Sequence, residues 1–527
     1  VVKSCIDSIT NKVAKNRPRP LFLTTKGDYS LKRRAKKLTQ YLDGAFDSAN
    51  IYQTGQKVFT DAATFGTGAM KIYTENGQVS VERVFIDELI VDDAEAMYGK
   101  PRQMHQKKYI NRDVLMAMFP EFREKINAAT LAKTWADKTI ADSVVVLESW
   151  HLRSDPQQET KHDGRHTITI ENCTLLDEEY TKDVFPFVFL RWTEALLGFF
   201  GTGLAEELTG IQLEINKILR NIQKAMNLVA VPRTYMQNES KIVSQHINNT
   251  IGAIVKHTGN PPTFHTPQAY PPEIYQHLER LYAKAFEITG VSMLSATSKK
   301  PSGLDSGAAL REYNDIETER FLTIAQRYER FYIEIAKIFI DQTRDLSLNG
   351  ETLTVKSPGK KFLETIKWKD VDMKEDKYSL RVFPTSLLPT TPAGRLEKVQ
   401  ELIQSGMISQ EHALSLLDFP DLDKYISLET ASQDNVQMLI EKMIEEGEYE
   451  SPEAYLNLEA AIKETQNAYL RAKLENVPED RRELLQRFIE ECVELIPQPP
   501  QPELPPLPVE EPPAVPEAPP VSDLLPI

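Results

Sequence analysis

Apolar positions are most regular between Gly203 and Leu346. Over Gly203–Ala230, Leu204, Leu208, Ile211, Ile215, Ile218, Ile222 and Met226 recur at spacings of three and four. That predicts one apolar stripe on a helix about 42 Å long. Its polar face carries Glu206, Glu207, Gln212, Asn216, Lys217, Arg220 and Lys224. An excursion over 231–271 follows, with Pro232, Gly252, Gly259, Pro261, Pro262 and Pro267 and the β-type run Ile251–Val255. A second helix is predicted from Pro272, suited to a first helical position, to Gly290, suited to the place just past an end. A polar loop over 291–305 carries Lys299-Lys300-Pro301-Ser302-Gly303. Beyond it the pattern predicts one helix of roughly forty residues over 306–346, several times the usual length. Phe321, Ile324, Tyr328, Phe331, Ile335, Ile338 and Phe339 load its second half on more than one side. That half belongs in a core. A stripe like that on the first helix needs a partner along its whole length, which fits a helical hairpin or one staff of a ring.

The flanking regions read as α+β and predominantly helical overall. Residues 30–65 predict a helix with Leu31, Leu38, Leu42, Phe46 and Val58 on its apolar side. Met70–Tyr73 and Val79–Val84 flank Asn76-Gly77, a strong type I′ hairpin signal. Val144–His151 and Thr167–Ile170 read as two more strands, the second entered through Asp163-Gly164, with a helical patch over 112–132 before them. Asn349-Gly350 predicts a hairpin over 348–355, and Tyr378–Phe383 a strand. From Thr391-Pro392 the pattern is helical, with a stop at Ser405-Gly406, restarts at Ser409 and Ser451-Pro452-Glu453, and a last helix over 478–495. Residues 497–527 contain 13 prolines, five acidic residues and no Lys or Arg. Such a composition cannot bury a core and predicts an extended, disordered tail.

Composition narrows the class. A chain of 527 residues supports two to four structural regions. Three widely separated cysteines, Cys5, Cys173 and Cys492, argue for a reducing compartment and against a disulfide framework or a zinc site. The apolar segments 184–192 and 196–204 are too short to span a bilayer, and the polar, basic start does not read as a signal peptide. A net charge of −15 argues against a DNA-coating protein. It is compatible with a channel through which DNA slides, because a wall that bound phosphate tightly would stall it. Positive charge concentrates in the first forty residues, at Lys12, Lys15, Arg17, Arg19, Lys26, Lys32, Arg33, Arg34, Lys36 and Lys37. That cluster reads as a solvated helix face or a DNA contact.

Catalytic signals are weak. No GxxxxGK[ST] loop is present. Asp92-Asp93 with Glu95 offers carboxylates for a metal-dependent nuclease or for a solvated strand end. His162, Asp163 and His166 sit at a hairpin tip and lack further zinc ligands. His246, His257, His265 and His277 read as scattered surface or interface histidines, and Ser292, Ser295 and Ser298 have no His–Asp partners. Lys299-Lys300 is the one charged feature of note here, and by itself it reads as an exposed connector.

Several phrases in order resemble the tailed-bacteriophage portal proteins, or head–tail connectors. They are Asn16-Arg17-Pro18-Arg19-Pro20 with Gly27-Asp28, Phe65-Gly66-Thr67-Gly68, Val91-Asp92-Asp93 before Tyr98-Gly99, and Gly201-Thr202-Gly203 leading to Gln212 and Asn216. Ser306-Gly307-Ala308-Ala309-Leu310-Arg311, Thr391-Pro392-Ala393, Gly406 with Ser409, and Phe419-Pro420-Asp421-Leu422 complete the set. The resemblance covers roughly residues 10–425. It implies a wing over 1–200, stem helices over 201–230 and 272–290, a clip over 231–271, a tunnel loop over 291–305 and a wing spine over 306–346. A wing β segment over 347–390, a helical crown over 391–496 and the Pro-rich tail follow. The stem would pack through Leu208, Ile211, Ile215, Ile218 and Ile222, and the clip would dock partners through Asn248, Asn249, Lys256 and His257. Lys299 and Lys300, hydrated by Ser298 and Ser302, would face the DNA. The resemblance implies a non-enzymatic ring of twelve copies at a capsid vertex, assembled in the host cytoplasm, without cofactor or membrane. Its partners would be double-stranded DNA, the terminase large subunit, the major capsid protein and scaffold, and a head–tail adaptor. A metal-dependent nuclease and a tail adaptor or scaffold protein are the alternatives.

Overall fold

The structure is a computed structural model that describes residues 1–14, 17–24, 29–97, 101–130, 142–155, 163–194, 197–230, 233–235, 263–265, 271–292, 319–350, 353–358, 363–371, 378–383, 392–407 and 431–496. The chain divides into two compact units, Val1–Lys26 with Ser30–Leu387, and Leu388–Ile527 with Gly27–Tyr29.

The first unit opens with α1 (Val2–Val13), β1 (Arg19–Thr24), α2 (Tyr29–Ser48) and α3 (Ile51–Phe65). The single helix expected over 30–65 is thus two, because Asn50 adopts a left-handed conformation (φ 53°) and turns the chain between them. Asparagine tolerates that conformation better than most residues. β2 (Thr67–Glu75) and β3 (Gln78–Val84) form the expected hairpin, with Glu75 opposite Gln78 and positive φ at both Asn76 and Gly77. β4 (Leu89–Ile90), α4 (Asp93–Met97), β5 (Gln103–Asn111), α5 (Arg112–Met118) and α6 (Arg123–Ala128) come next, followed by β6 (Ser143–His151), β7 (Arg165–Ile170), β8 (Cys173–Glu179) and β9 (Phe187–Arg191). The patch expected over 112–132 is therefore α5 and α6 joined by a 3-10 turn at Pro120–Phe122. Strands 4–8 make an antiparallel five-stranded sheet in sequence order, and β2 sits between β3 and β9 in a three-stranded one.

The helical part continues with α7 (Leu204–Ala230), the short strands β10 (Arg233–Tyr235) and β11 (Thr263–His265), α8 (Pro272–Thr289) and α9 (Leu322–Leu348). α8 begins and ends where its proline and glycine predict, with Gly290 left-handed at its C-cap. Of the forty-residue helix, residues 306–318 lie outside the described residues; Arg320–Phe321 is a turn and the regular helix runs from Leu322. Asn349-Gly350 ends α9, with Gly350 at φ 94°. The hairpin assigned to that pair lies further on, between β12 (Thr354–Pro358) and β13 (Leu363–Lys367). An Asn-Gly pair suits a left-handed helix end as well as a hairpin turn. The helical approach from α9 decided between them. α10 (Trp368–Val371) and β14 (Tyr378–Phe383) close the unit, β14 pairing with β1 across the whole fold.

One core joins α1, α2, α3, β2, β9 and α9, with Phe46, Phe59, Phe331 and Tyr332 fully buried. Met70 and Ile72 of β2 face it. Ala69 belongs to a second cluster that lies between the two sheets, with Met104, Trp150 and Phe187.

In the second unit, α11 (Pro392–Gln404) stops at a left-handed Gly406, and α12 (Ala431–Glu445), α13 (Leu458–Leu474) and α14 (Glu479–Leu495) share a core around Leu485, Phe488 and Cys492. The restart expected at Ser451-Pro452 occurs at Leu458, where the Asn457 side chain accepts the Ala460 N–H at 3.3 Å and caps the helix. The restart at Ser409 and the tail over 497–527 lie outside the described residues.

Candidate functional site

The stem-like pair is anchored by glycines. Gly66 ends α3 at φ 91°, and a Cβ there would lie 2.0 Å from the Gly201 carbonyl oxygen. A Cβ on Gly203 would lie 2.4 Å from the Gly66 nitrogen, and one on Gly68 2.1 Å from the Val58 carbonyl oxygen. Only glycine permits backbones this close. The contact is fastened by hydrogen bonds: Trp192 N–H donates to the Gly66 carbonyl at 2.9 Å, and Gly201 N–H to Thr67 Oγ1 at 2.8 Å. From this clamp α7 departs. Its stripe is buried at Leu204, Leu208, Ile215, Ile218 and Ile222 and half-buried at Ile211, but Met226 is exposed.

α7 also carries Leu213 and Leu219 on exposed positions, and α8 carries Tyr275. β10 pairs antiparallel with β11, Arg233 opposite His265, which brings the end of α7 to the start of α8. At the other end, Arg320 Nη2 donates to the Glu287 carbonyl at 3.3 Å. The segment between α8 and α9 therefore leaves and returns at one place. Lys299, Lys300, Ser298 and Ser302 fall in that segment, and Asn248, Asn249, Lys256 and His257 between β10 and β11. All eight lie outside the described residues.

A polar network missed by sequence reasoning joins the two sheets. Lys71 on β2 reaches Glu148 Oε2 on β6 at 2.5 Å, Glu148 Oε1 meets His166 Nε2 on β7 at 3.1 Å, and His166 Nδ1 meets Glu178 Oε1 on β8 at 2.6 Å. Trp150 stacks on His166 at 5.3 Å between centroids, and the Lys71 ammonium lies 4.6 Å from the Trp150 ring centroid. Burial by itself would raise the Glu148 carboxyl, but hydrogen bonds from His166 and Lys71 and the Lys71 charge hold it at about 2. Burial opposes the imidazolium of His166, and the two carboxylates outweigh it and raise its pKa. Burial lowers Lys71, against the pull of Glu148. The only sequence signal was a lysine inside an otherwise apolar strand, Ala69–Ile72.

The other candidates resolve into local roles. Asp92 Oδ1 accepts the Glu95 N–H at 2.9 Å and caps α4, and His166 is committed to its two carboxylates. Among the described residues, no three His, Cys, Asp or Glu side chains are grouped to hold a metal ion, and no helix is long and apolar enough to cross a membrane.

No curated protein matches the chain. Residues 123–342 match the family described as phage SU10 portal protein. The match runs from α6 through β6–β9, the Gly201–Gly203 side of the glycine clamp, α7, α8 and most of α9, so it covers both stem-like helices and their connection. Over these residues the chain is similar to the phage portal proteins.

Proposed function

We propose that copies of this chain close into a ring of twelve at one capsid vertex, with α7 and α8 as its stem. Through that ring double-stranded DNA is packaged and later ejected. The family carries the coarse reading: a homo-oligomer that works with capsid and terminase. The observation that supports it in this chain is the apolar surface one copy leaves uncovered on α7, with Leu213 and Met226 each 63% exposed. A second copy's stem is the surface that covers it. The connection between β10 and β11 is then the clip, where Asn248, Asn249, Lys256 and His257 meet the terminase large subunit and afterwards the head–tail adaptor. The wing, built on the two sheets and α9, meets the major capsid protein and scaffold. The ring resides in the virion and assembles in the host cytoplasm. It performs no covalent chemistry and needs no cofactor.

Purified chain at micromolar concentration and physiological salt is expected to give rings by electron microscopy and one dominant oligomer mass by native mass spectrometry, with an interface well above the ~1,600 Å² of a standard contact. A stable monomer under those conditions overturns the proposal.

The segment between α8 and α9 is assigned to the channel. Lys299 and Lys300, kept hydrated by Ser298 and Ser302, give phosphate contacts that are sequence-independent, salt-sensitive and weak enough to break as DNA advances. Changing both lysines to Ala should leave ring assembly intact while packaging efficiency or DNA retention changes, by an amount that shrinks as salt rises. Unchanged packaging and retention at every salt concentration reduces the segment to a connector.

A further inference from the structure

α2 is charged against its own dipole. Its first turns carry Lys32, Arg33, Arg34, Lys36 and Lys37 with no acidic residue in the first turn, while Asp43 and Asp47 lie toward its C-terminus. A helix N-terminus is positive already, so Lys32 in the first turn and Arg33 beside it cost stability that a merely solvated face would not need to lose. The acidic end is neutralised locally. Arg19 lies 3.5 Å from Asp43, and Arg17 and Arg19 both act on Tyr52 beside Asp43 and Asp47. Among the described residues no carboxylate pairs with Lys32, Arg33, Arg34 or Lys37, and the buried Nε–H of Arg33 has no hydrogen-bond partner.

The packing puts these charges together. Ala35, Leu38, Tyr41, Leu42 and Ala45 are buried on one side of α2. At 100° per residue, Lys32, Arg33, Lys36 and Lys37 fall on the other, Lys36 exposed and the rest half-buried, while Arg34 is exposed at the helix start above the arc of Tyr41 and Ala45. Lys32 and Lys36 form one i, i+4 row and Arg33 and Lys37 a second beside it. The rise of ~6 Å along each row spans about two phosphates of one DNA strand at ~3.4 Å of axis each. Two parallel rows of cations next to a helix N-terminus suit a repeating phosphate backbone. An acidic peptide would more often be met by scattered pairs with apolar anchors between them.

We infer that the exposed face of α2 is a second nucleic-acid contact, on the wing, which holds the phosphate backbone of double-stranded DNA independently of any channel. It reads charge and spacing and makes no base contacts. In a chain of net charge −15 such a concentrated basic face acts as a local tether.

The test uses the full-length protein and a relaxed, covalently closed DNA circle, which cannot thread a ring. Binding is measured by mobility shift between 25 and 200 mM salt, conditions on the order of those where phosphate contacts are resolved. The variant is K32E/R33E/K37E. Because the reversals at Lys32 and Arg33 follow the helix dipole, its thermal stability should be equal to or above that of the original chain. Its affinity for the circle should fall at least about tenfold at the lowest salt, and the slope of log affinity against log salt should flatten by about three, one per lost phosphate contact. Failure of the unaltered protein to bind the circle overturns the inference. So does unchanged binding by a folded variant, or loss of binding to poly-glutamate with DNA binding retained, which would make the face a site for an acidic protein. None of these outcomes bears on ring assembly, so the channel reading stands or falls separately.

Discussion

Glu148→Ala should be the most destabilising single change between the two sheets, lowering the free energy of unfolding by about 3–5 kcal/mol, because it leaves a buried ammonium without a partner. The Lys71 side chain is 6% exposed and its counter-charge is Glu148. His166 loses one of its two carboxylates in the same step. Lys71→Met combined with Glu148→Leu should cost much less, since removing both partners strands no charge. Denaturant unfolding of the three proteins checks this, and equal midpoints for Glu148→Ala and the unaltered chain would refute it.

The same network sets a pH window. The folded pKa of Glu148, about 2, lies below its ordinary 4.5, so its contribution is complete above 4.5 and is lost as pH falls from there toward 2. The folded pKa of His166 lies above its ordinary 6.5, so its contribution is complete below 6.5 and is lost as pH rises through the raised value. The stability gap between the unaltered chain and Glu148→Ala should therefore be widest between about 4.5 and 6.5. A gap that stays constant from acid to alkaline pH would show that the network is not what holds the sheets.

Gly66→Val is expected to detach the start of α7. The residue sits at φ 91°, where a side chain with a Cβ costs about 1–2 kcal/mol. Here the added atom also meets the Gly201 carbonyl oxygen at 2.0 Å and the Gly201 carbonyl carbon at 2.4 Å, backbone on both sides. The sum should exceed about 3 kcal/mol and appear as new protease cleavage between Arg191 and Leu204, with loss of rings. Gly350→Ala is the control. Its φ is 94°, yet a Cβ there has nothing within 4 Å. It should show only the conformational cost of about 1–2 kcal/mol and still assemble. If Gly66→Val behaves like Gly350→Ala, close backbone approach is not what seats the start of α7.

Much of the helical framework was legible because its signals are local. Pro272 and Gly290 bound α8, Pro392 and Gly406 bound α11, and Asn76-Gly77 makes the turn between β2 and β3. Each needs only residues a few positions apart. The turn at Arg320–Phe321 was not legible, since no Gly or Pro marks it and the apolar spacing runs straight through. One inner strand of the five-stranded sheet was also hidden. β5 reads Gln103-Met104-His105-Gln106-Lys107-Lys108, a polar stretch whose buried positions are Met104 and Gln106.

The sequence by itself determined the stripe of α7, the ends of α8, the tight hairpin and the order of phrases that resembles the portal proteins. These rest on side-chain period and backbone preference, which act over a turn or two. Tertiary structure alone decided that Gly66 meets Gly201 and Gly203, that β1 pairs with β14, and that Lys71, Glu148, His166 and Glu178 meet between two sheets. Those partners are separated by tens to hundreds of residues. What joins them is the burial of apolar faces around them, which leaves Lys71 and Glu148 little water and so makes a partner obligatory.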